Sequence, residues 1–146
     1  MELSKILVPI GGGRVDEAVV KLACDLARKQ KGKVRVVYVI RVQRTLPLEA
    51  EVESEVKQAD ELLAHAELLA QDQGYEVDTD LLQAREIGPA IVDEAVERNV
   101  DIIMMGIGYK KRFGEFSLGN VVPYVLKNAP CPVLLLRESI AEEEKP

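Results

Sequence analysis

The chain is poor in the residues that build metal and redox sites. It contains two cysteines, Cys24 and Cys131, and a single histidine, His65, among 146 residues. Two cysteines that lie among apolar neighbours indicate reduced core residues and not a disulfide framework. One histidine excludes a zinc site built from several histidines, and its place beside an apolar helical stripe favours a structural role. We therefore expect no metal site in this chain.

Long apolar runs and positive net charge are also missing. No apolar stretch approaches the roughly 20 residues that a membrane-spanning helix needs. The N-terminus lacks the basic segment, apolar run and cleavage site of a signal peptide, so we expect a cytosolic location without direct membrane insertion. A net charge of −6 argues against nucleic acid or an anionic membrane surface as the main partner.

What is present is the composition of a soluble domain, with 47% hydrophobic and 30% charged residues. Apolar runs alternate with segments of helical periodicity along the whole chain. The predicted strands cover 3–10, 34–42, 75–84, 100–105 and 131–136, and the predicted helices cover 15–31, 49–73, 89–99 and 121–128. Strands that alternate with helices predict a parallel sheet covered on both faces, a three-layer α/β/α fold.

Glycines follow two of the predicted strands. Gly11-Gly12-Gly13 comes after the first strand, and Gly106 to Gly108 comes after the fourth. Ligands of open parallel sheets collect at the carboxyl ends of the strands, near the point where the strand order reverses. Glycine allows close backbone approach and positive φ, so these loops suit a phosphate or a purine, although simple tight turns use glycine as well.

A long cationic loop follows the fourth strand. It carries Lys110, Lys111 and Arg112, and it ends at Gly119-Asn120, where a new amphipathic helix begins. A strand, a glycine loop and a helix N-terminus in succession favour an anion, because backbone N–H groups and the helix dipole face it. The three cations either neutralise phosphates or keep the loop solvated, and the sequence leaves both interpretations open.

Several of these segments together resemble the universal stress protein family, the UspA-like domains, over nearly the whole chain. The residues that carry the resemblance are Lys5 to Ile10, Asp101 to Gly106, Gly119 to Val121, and Asn128 to Leu135. The resemblance implies a Rossmann-like α/β fold with strand order 3-2-1-4-5 and a role in signalling or the stress response. It assigns residues 1–137 to one UspA-like domain and leaves 138–146 as an acidic, frayed tail.

The resemblance also implies a homodimer, made through the edge of the fifth strand at Pro132 to Leu136. An unpaired apolar edge strand is a liability that such pairing removes, which supports the dimer independently.

Nucleotide-binding members of the family show glycine, two residues, glycine, nine residues, glycine and then serine or threonine. Gly106 and Gly119 match the first and third glycines, but Tyr109 stands at the second and Asn120 at the hydroxyl position. Gly11 replaces the aspartate with which those members end the first strand, so a hydrogen-bond acceptor is lost. Asn120 is expected to cap the helix. Tyr109 places a ring where the backbone should approach the phosphates, with Gly108 beside it as a compensating turn.

The resemblance thus predicts an altered adenine-nucleotide site for ATP, with magnesium, or for AMP. The expected contact residues are Pro9, Ile10, Gly11, Val39, Met105, Gly106, Gly108, Gly119, Asn120 and Val121. The alternative is a dimeric regulatory module that binds no nucleotide and acts through protein contacts. No Walker A lysine motif or Gly-x-Ser-x-Gly elbow is present, so we do not expect an enzyme beyond slow ATP hydrolysis. A cytosolic domain of a larger protein such as a transporter also fits the sequence.

Overall fold

The fold is described from a computed structural model, in which residues 1–109, 111–112 and 115–140 are described. The elements follow one another as β1 (Lys5–Pro9), α1 (Val15–Arg28), β2 (Lys33–Arg41), α2 (Glu53–Asp72), β3 (Asp78–Ala84), α3 (Ile87–Arg98), β4 (Ile102–Ile107), β5 (Lys111–Arg112), β6 (Glu115–Phe116), α4 (Val121–Asn128) and β7 (Val133–Arg137). Five of the strands form the main sheet, and β5 and β6 form a short antiparallel pair inside the predicted cationic loop.

The main sheet has the order β3-β2-β1-β4-β7, and all of its neighbouring strands are parallel. The predicted order 3-2-1-4-5 is therefore confirmed. β1 lies at the centre because its apolar run is buried on both faces of the sheet, with Ile6, Leu7 and Val8 all at most 1% exposed. The strand order reverses between β1 and β4, and this reversal marks where ligands of such sheets bind.

Successive residues of the central strand belong to different layers of the core. Ile6 packs with residues of α1 and α2, whereas Leu7 packs with Ile91 of α3 and Val125 of α4. Side chains of a strand alternate between its two faces, so this division shows helices on both sides of the sheet. Cys24 is buried and Cys131 half-buried, both are free thiols, and burial raises the pKa of each.

Several predicted boundaries are wrong, and β4, for example, ends at Ile107 and not at 105, so that Gly106 lies within the strand. α2 begins at Glu53 and not at 49, because residues before it form turns that return the chain from β2. β3 begins at Asp78 and not at 75, since the hydroxyl group of Tyr75 donates to the carbonyl oxygen of Gly32 and the ring packs against the core. α3 begins at Ile87 and not at 89, so Gly88 lies in its first turn.

Gly88 has a packing role in the first turn of α3. A β-carbon on Gly88 would lie 2.9 Å from the Cδ1 atom of Tyr124, so this glycine lets α3 and α4 approach each other. Within the described residues, no helix has both the length and the apolar character that a membrane span requires.

Candidate functional site

The candidate site lies at the carboxyl edge of the sheet, where β1 and β4 are neighbours. The register pairs Ile6 with Ile102 and Leu7 with Ile103, so the loops that follow the two strands emerge side by side. Pro9 and Ile10 are buried at the end of β1, and the Ile10 N–H donates to the Val37 carbonyl oxygen at 2.9 Å. The predicted loops therefore do meet at one edge.

The loop after β1 is held by a carboxylate from the first turn of α1. The N–H groups of Gly11 and Gly12 donate to Asp16, to Oδ1 at 3.2 Å and to Oδ2 at 2.8 Å. Burial raises the pKa of Asp16, and the two N–H donors lower it by a smaller amount. The side chain of Asp16 therefore faces the glycine loop.

Gly106 serves the packing of α1 on the sheet. A β-carbon at Gly106 would lie 2.9 Å from Cγ1 of Val15, which is closer than real β-carbons approach, and 3.3 Å from Cγ1 of Val19. Val15 and Val19 are buried residues of α1. The glycine that begins the nucleotide motif is thus needed for the contact between α1 and β4, independently of any role in ligand binding.

Gly119 and Asn120 begin α4. Gly119 has a φ of +70°, a conformation that favours glycine, and a β-carbon there would meet no atom within 4 Å. Asn120 occupies the N-cap position, but its side chain makes no capping hydrogen bond, so the predicted cap is wrong. The physical reason is its helical backbone, φ −100° and ψ −31°, whereas a capping side chain needs an extended backbone.

The ring of Tyr109 contacts two side chains, one within the cationic loop and one at the end of β7. Its ring stacks on the ring of Phe116 at 5.4 Å, with an angle of 10° between the planes. The guanidinium carbon of Arg137, at the end of β7, lies 5.2 Å from the centre of the Tyr109 ring. Of the predicted cations, Lys110 and the side chains of Lys111 and Arg112 lie outside the described part of the chain.

A carboxylate that the sequence did not single out connects the two loops. Glu138 accepts from the Tyr109 N–H at 2.8 Å through Oε1, and from Nε of Arg14 at 2.6 Å through Oε2. Its side chain is 16% exposed, against 61% for Arg14. The position offered a usable signal, because a charged residue directly after the last strand must lie at the carboxyl edge of the sheet. The predicted frayed tail therefore does not begin at Glu138, and residues 141–146 lie outside the described residues.

A cavity of about 310 Å³ opens between the N-terminal ends of α3 and α4. Its lining residues are Arg41, Glu86, Ile87, Gly88, Pro89, Asn120, Val121 and Tyr124. Two predicted contact residues, Asn120 and Val121, thus line a cavity together with a cation from the end of β2.

The remaining predicted contact residues lie beneath or beside this edge. Val39 and Met105 are buried in the apolar cluster under α3 and α4, at 7% and 5% exposure, and Gly108 is half-buried beside Tyr109. Among the described residues, no group of three or more histidine, cysteine, aspartate or glutamate side chains is arranged to hold a metal ion.

A parallel five-stranded sheet with glycine loops on both strands at its reversal point defines a Rossmann-like α/β domain. The model of the universal stress protein family matches residues 2–137, and the chain belongs to this family. The resemblance described from the sequence is confirmed.

Individual relatives agree with the family match. The chain is 29% identical over 140 residues to universal stress protein MJ0531 of Methanocaldococcus jannaschii, covering 92% of this chain and 82% of that protein. A universal stress protein from Archaeoglobus fulgidus aligns with a TM-score of 0.77 at 26% identity, over 90% of this chain and 96% of the other. The universal stress protein from Archaeoglobus fulgidus in complex with dAMP aligns with a TM-score of 0.73 at 26% identity, over 92% and 98% of the two chains.

Proposed function

We propose that this universal stress protein binds an adenine nucleotide at the carboxyl edge of its sheet. The observation that carries the proposal is the start of α4: Asn120 makes no side-chain cap, and with Val121 it lines a cavity that also contains Arg41. A helix N-terminus and a guanidinium are two groups that bind phosphate. The dAMP complex of the similar Archaeoglobus fulgidus protein supports this choice of ligand.

The experiment is a calorimetric titration with AMP and with ATP plus magnesium. We expect binding to the wild-type protein and a loss of affinity of about tenfold or more in Arg41→Ala, because a charge-assisted hydrogen bond contributes roughly 1.5–3 kcal/mol. Arg44→Ala is the matched control, since Arg44 lines a different cavity, beside β3. If neither nucleotide binds at millimolar concentration, the proposal is wrong.

The output of binding that we propose is conformational. The nucleotide would alter the segment between β4 and α4, and this segment or the dimer would present the change to a protein partner. The proposal assigns no catalytic step, and the absence of enzyme activity, the cytosolic location and the single domain of residues 1–137 stay predictions.

The proposed assembly is a homodimer through Pro132 to Leu136. β7 is the last strand of the sheet, and its apolar residues from Val133 to Leu136 are only partly buried in one chain. This edge also favours the second candidate function, a dimeric module that binds no nucleotide. The titration separates the two, because that module would dimerise without any nucleotide affinity.

A further inference from the structure

Backbone donors at the carboxyl edge are already used by carboxylates of the chain itself. Gly11 and Gly12 donate to Asp16, and Tyr109 donates to Glu138. Tyr109 stands at the second glycine position of the family's nucleotide motif, where the backbone is expected to approach phosphate. A carboxylate thus accepts the hydrogen bond that a phosphate oxygen would accept at this position.

Glu138 also pairs with a nearby cation. Its Oε2 atom lies 2.6 Å from Nε of Arg14, and Nη2 of Arg14 donates to the carbonyl oxygen of Ser139 at 3.3 Å. Arg14 belongs to the loop after β1, so the pair spans the two loops of the cleft. Glu138 therefore engages both a backbone donor and a guanidinium that would otherwise attract phosphate.

The two carboxylates place negative charge at the two loops of the cleft. Like charges in a partly desolvated cleft repel more strongly than in water. The start of α4 differs, because neither carboxylate contacts Asn120 or Val121 in the hydrogen bonds of the described residues. We therefore expect the start of α4 to accept one phosphate group, and a longer phosphate chain that reaches the Tyr109 N–H to meet Glu138.

We infer that Glu138 and Asp16 are specificity-determining residues that make this cleft favour adenosine or AMP over ATP. The adenine part of this inference rests on the proposed function. Glu138 acts by occupying the Tyr109 N–H and neutralising Arg14, and Asp16 acts by occupying the N–H groups of Gly11 and Gly12. A ligand with several phosphates must displace at least one carboxylate before it can use these donors.

The test compares the affinities of adenosine, AMP and ATP in matched variants. In Glu138→Gln, which removes the charge at nearly constant size, we expect the ATP-to-AMP affinity ratio to rise at least tenfold, and more in Glu138→Ala. Asp16→Asn should raise the ratio less, because Asp16 accepts only from the backbone N–H groups of Gly11 and Gly12, whereas Glu138 also pairs with Arg14. Glu17→Gln is the control, since it also removes one charge beside Asp16, but from an exposed pair with Lys21 at 2.8 Å. An unchanged ratio in both Glu138 variants overturns the inference.

A second experiment tests the effect of the carboxylates on a phosphate chain that carries no adenine. Tripolyphosphate alone is titrated into the wild-type protein, Glu138→Gln and Glu17→Gln, and the shift in melting temperature is recorded. A larger shift in Glu138→Gln than in the other two supports the inference even if no adenine compound binds and the proposed function fails. Equal shifts in all three overturn the inference, even if AMP binds the wild type and the proposed function stands.

Folding of the variants is checked separately. Glu138 follows the last strand and belongs to none of the apolar clusters of the core, so its variants should keep the wild-type circular dichroism spectrum.

Discussion

Gly106 of β4 lies against Val15 of α1 so closely that a β-carbon on Gly106 would be 2.9 Å from the valine Cγ1 atom. The family's motif presents this glycine as part of a nucleotide loop. In this chain it also sets the distance between the first helix and the sheet. Any change at Gly106 must therefore be separated into a packing effect and a ligand effect.

Replacement of this glycine should destabilise the fold without any ligand. We expect Gly106→Ala to lower the free energy of unfolding by about 1–3 kcal/mol, because the added methyl group overpacks the contact with α1. Urea denaturation measures the change. Gly11→Ala is the control and should have little effect, since a β-carbon there meets no atom within 4 Å. Adding Val15→Ala should cost less in the Gly106→Ala background than alone, and strict additivity would contradict the packing argument.

A buried carboxylate in α3 offers a route to higher stability. Glu94 is 6% exposed, its Oε2 atom has no hydrogen-bond partner among the described residues, and its Oε1 atom lies 3.8 Å from Nε of Arg98. Glu94→Met should raise the free energy of unfolding by about 1–3 kcal/mol, because it removes a buried carboxylate oxygen that has no hydrogen-bond partner among the described residues, while Arg98 keeps its contact with Asp80 at 3.2 Å. The exposed neighbour Glu97→Met should change little. A destabilised Glu94→Met protein would contradict the prediction.

The raised pKa of Asp16 predicts an unusual pH dependence. Burial raises this pKa above its ordinary value of 3.8, so the folded chain binds the proton more tightly than the unfolded chain. The contribution of Asp16 to stability therefore falls as pH rises from the ordinary pKa through the raised one, and it stays low above that. We expect the wild-type protein to gain stability relative to Asp16→Asn when the pH is lowered from about 7 to about 4.

Glu17 provides a control, because its contribution to stability should change with pH in the opposite direction to that of Asp16. A hydrogen bond from Lys21 lowers the pKa of Glu17, so its contribution is present at neutral pH and is lost as pH falls through the lowered value. Denaturation of the wild type, Asp16→Asn and Glu17→Gln from about pH 7 to about pH 3, below the ordinary glutamate pKa, measures both trends. Parallel pH profiles for the two variants would show that the Asp16 carboxylate is not held in a desolvated position.

The proposed dimer can be tested at a single backbone N–H. The Pro132 carbonyl oxygen accepts from the Ile103 N–H, and the Glu138 N–H donates to the Ile107 carbonyl oxygen. Backbone groups of alternate residues in a strand point the same way, so the N–H of Leu135 points away from β4, towards a partner strand.

Leu135→Pro should therefore produce a monomer while the sheet within the chain persists, because proline removes a donor that the chain's own sheet does not use. Leu135→Ala controls for the lost side chain and should remain dimeric. Size-exclusion chromatography with light scattering measures the mass of each protein. A wild-type monomer, or a Leu135→Pro dimer, would contradict pairing through this edge.

The layers of the fold could be predicted because the chain carries strong local signals, whereas the order of the strands followed only from the resemblance to the family. The fully apolar run of β1 requires burial on both faces, and helical periodicity places a helix after each of the first four main strands. Boundaries were less well predicted where a contact with a distant residue decides them. Tyr75 looks like a strand residue, but its hydrogen bond with Gly32, 43 residues away, keeps it outside β3.

The candidate site, too, could be predicted from the sequence only in part. The sequence located its glycines, its altered positions Gly11 and Tyr109, and the helix start at Asn120, because each has a fixed spacing along the chain. It did not reveal that Glu138 contacts Arg14 and Tyr109, since those residues are 124 and 29 positions away.

The sequence by itself determined the family, the layers and the edge of the sheet at which a ligand should bind, because periodicity and spacing are local properties of the chain. Only the tertiary structure decided what the backbone donors of that edge already contact. The hydrogen bond from Tyr109 reaches the carboxylate of Glu138 only after β4 and β7 have been placed side by side, and the pair of Glu138 with Arg14 also requires β1 beside β4. The selectivity that we propose for the cleft is therefore a consequence of packing.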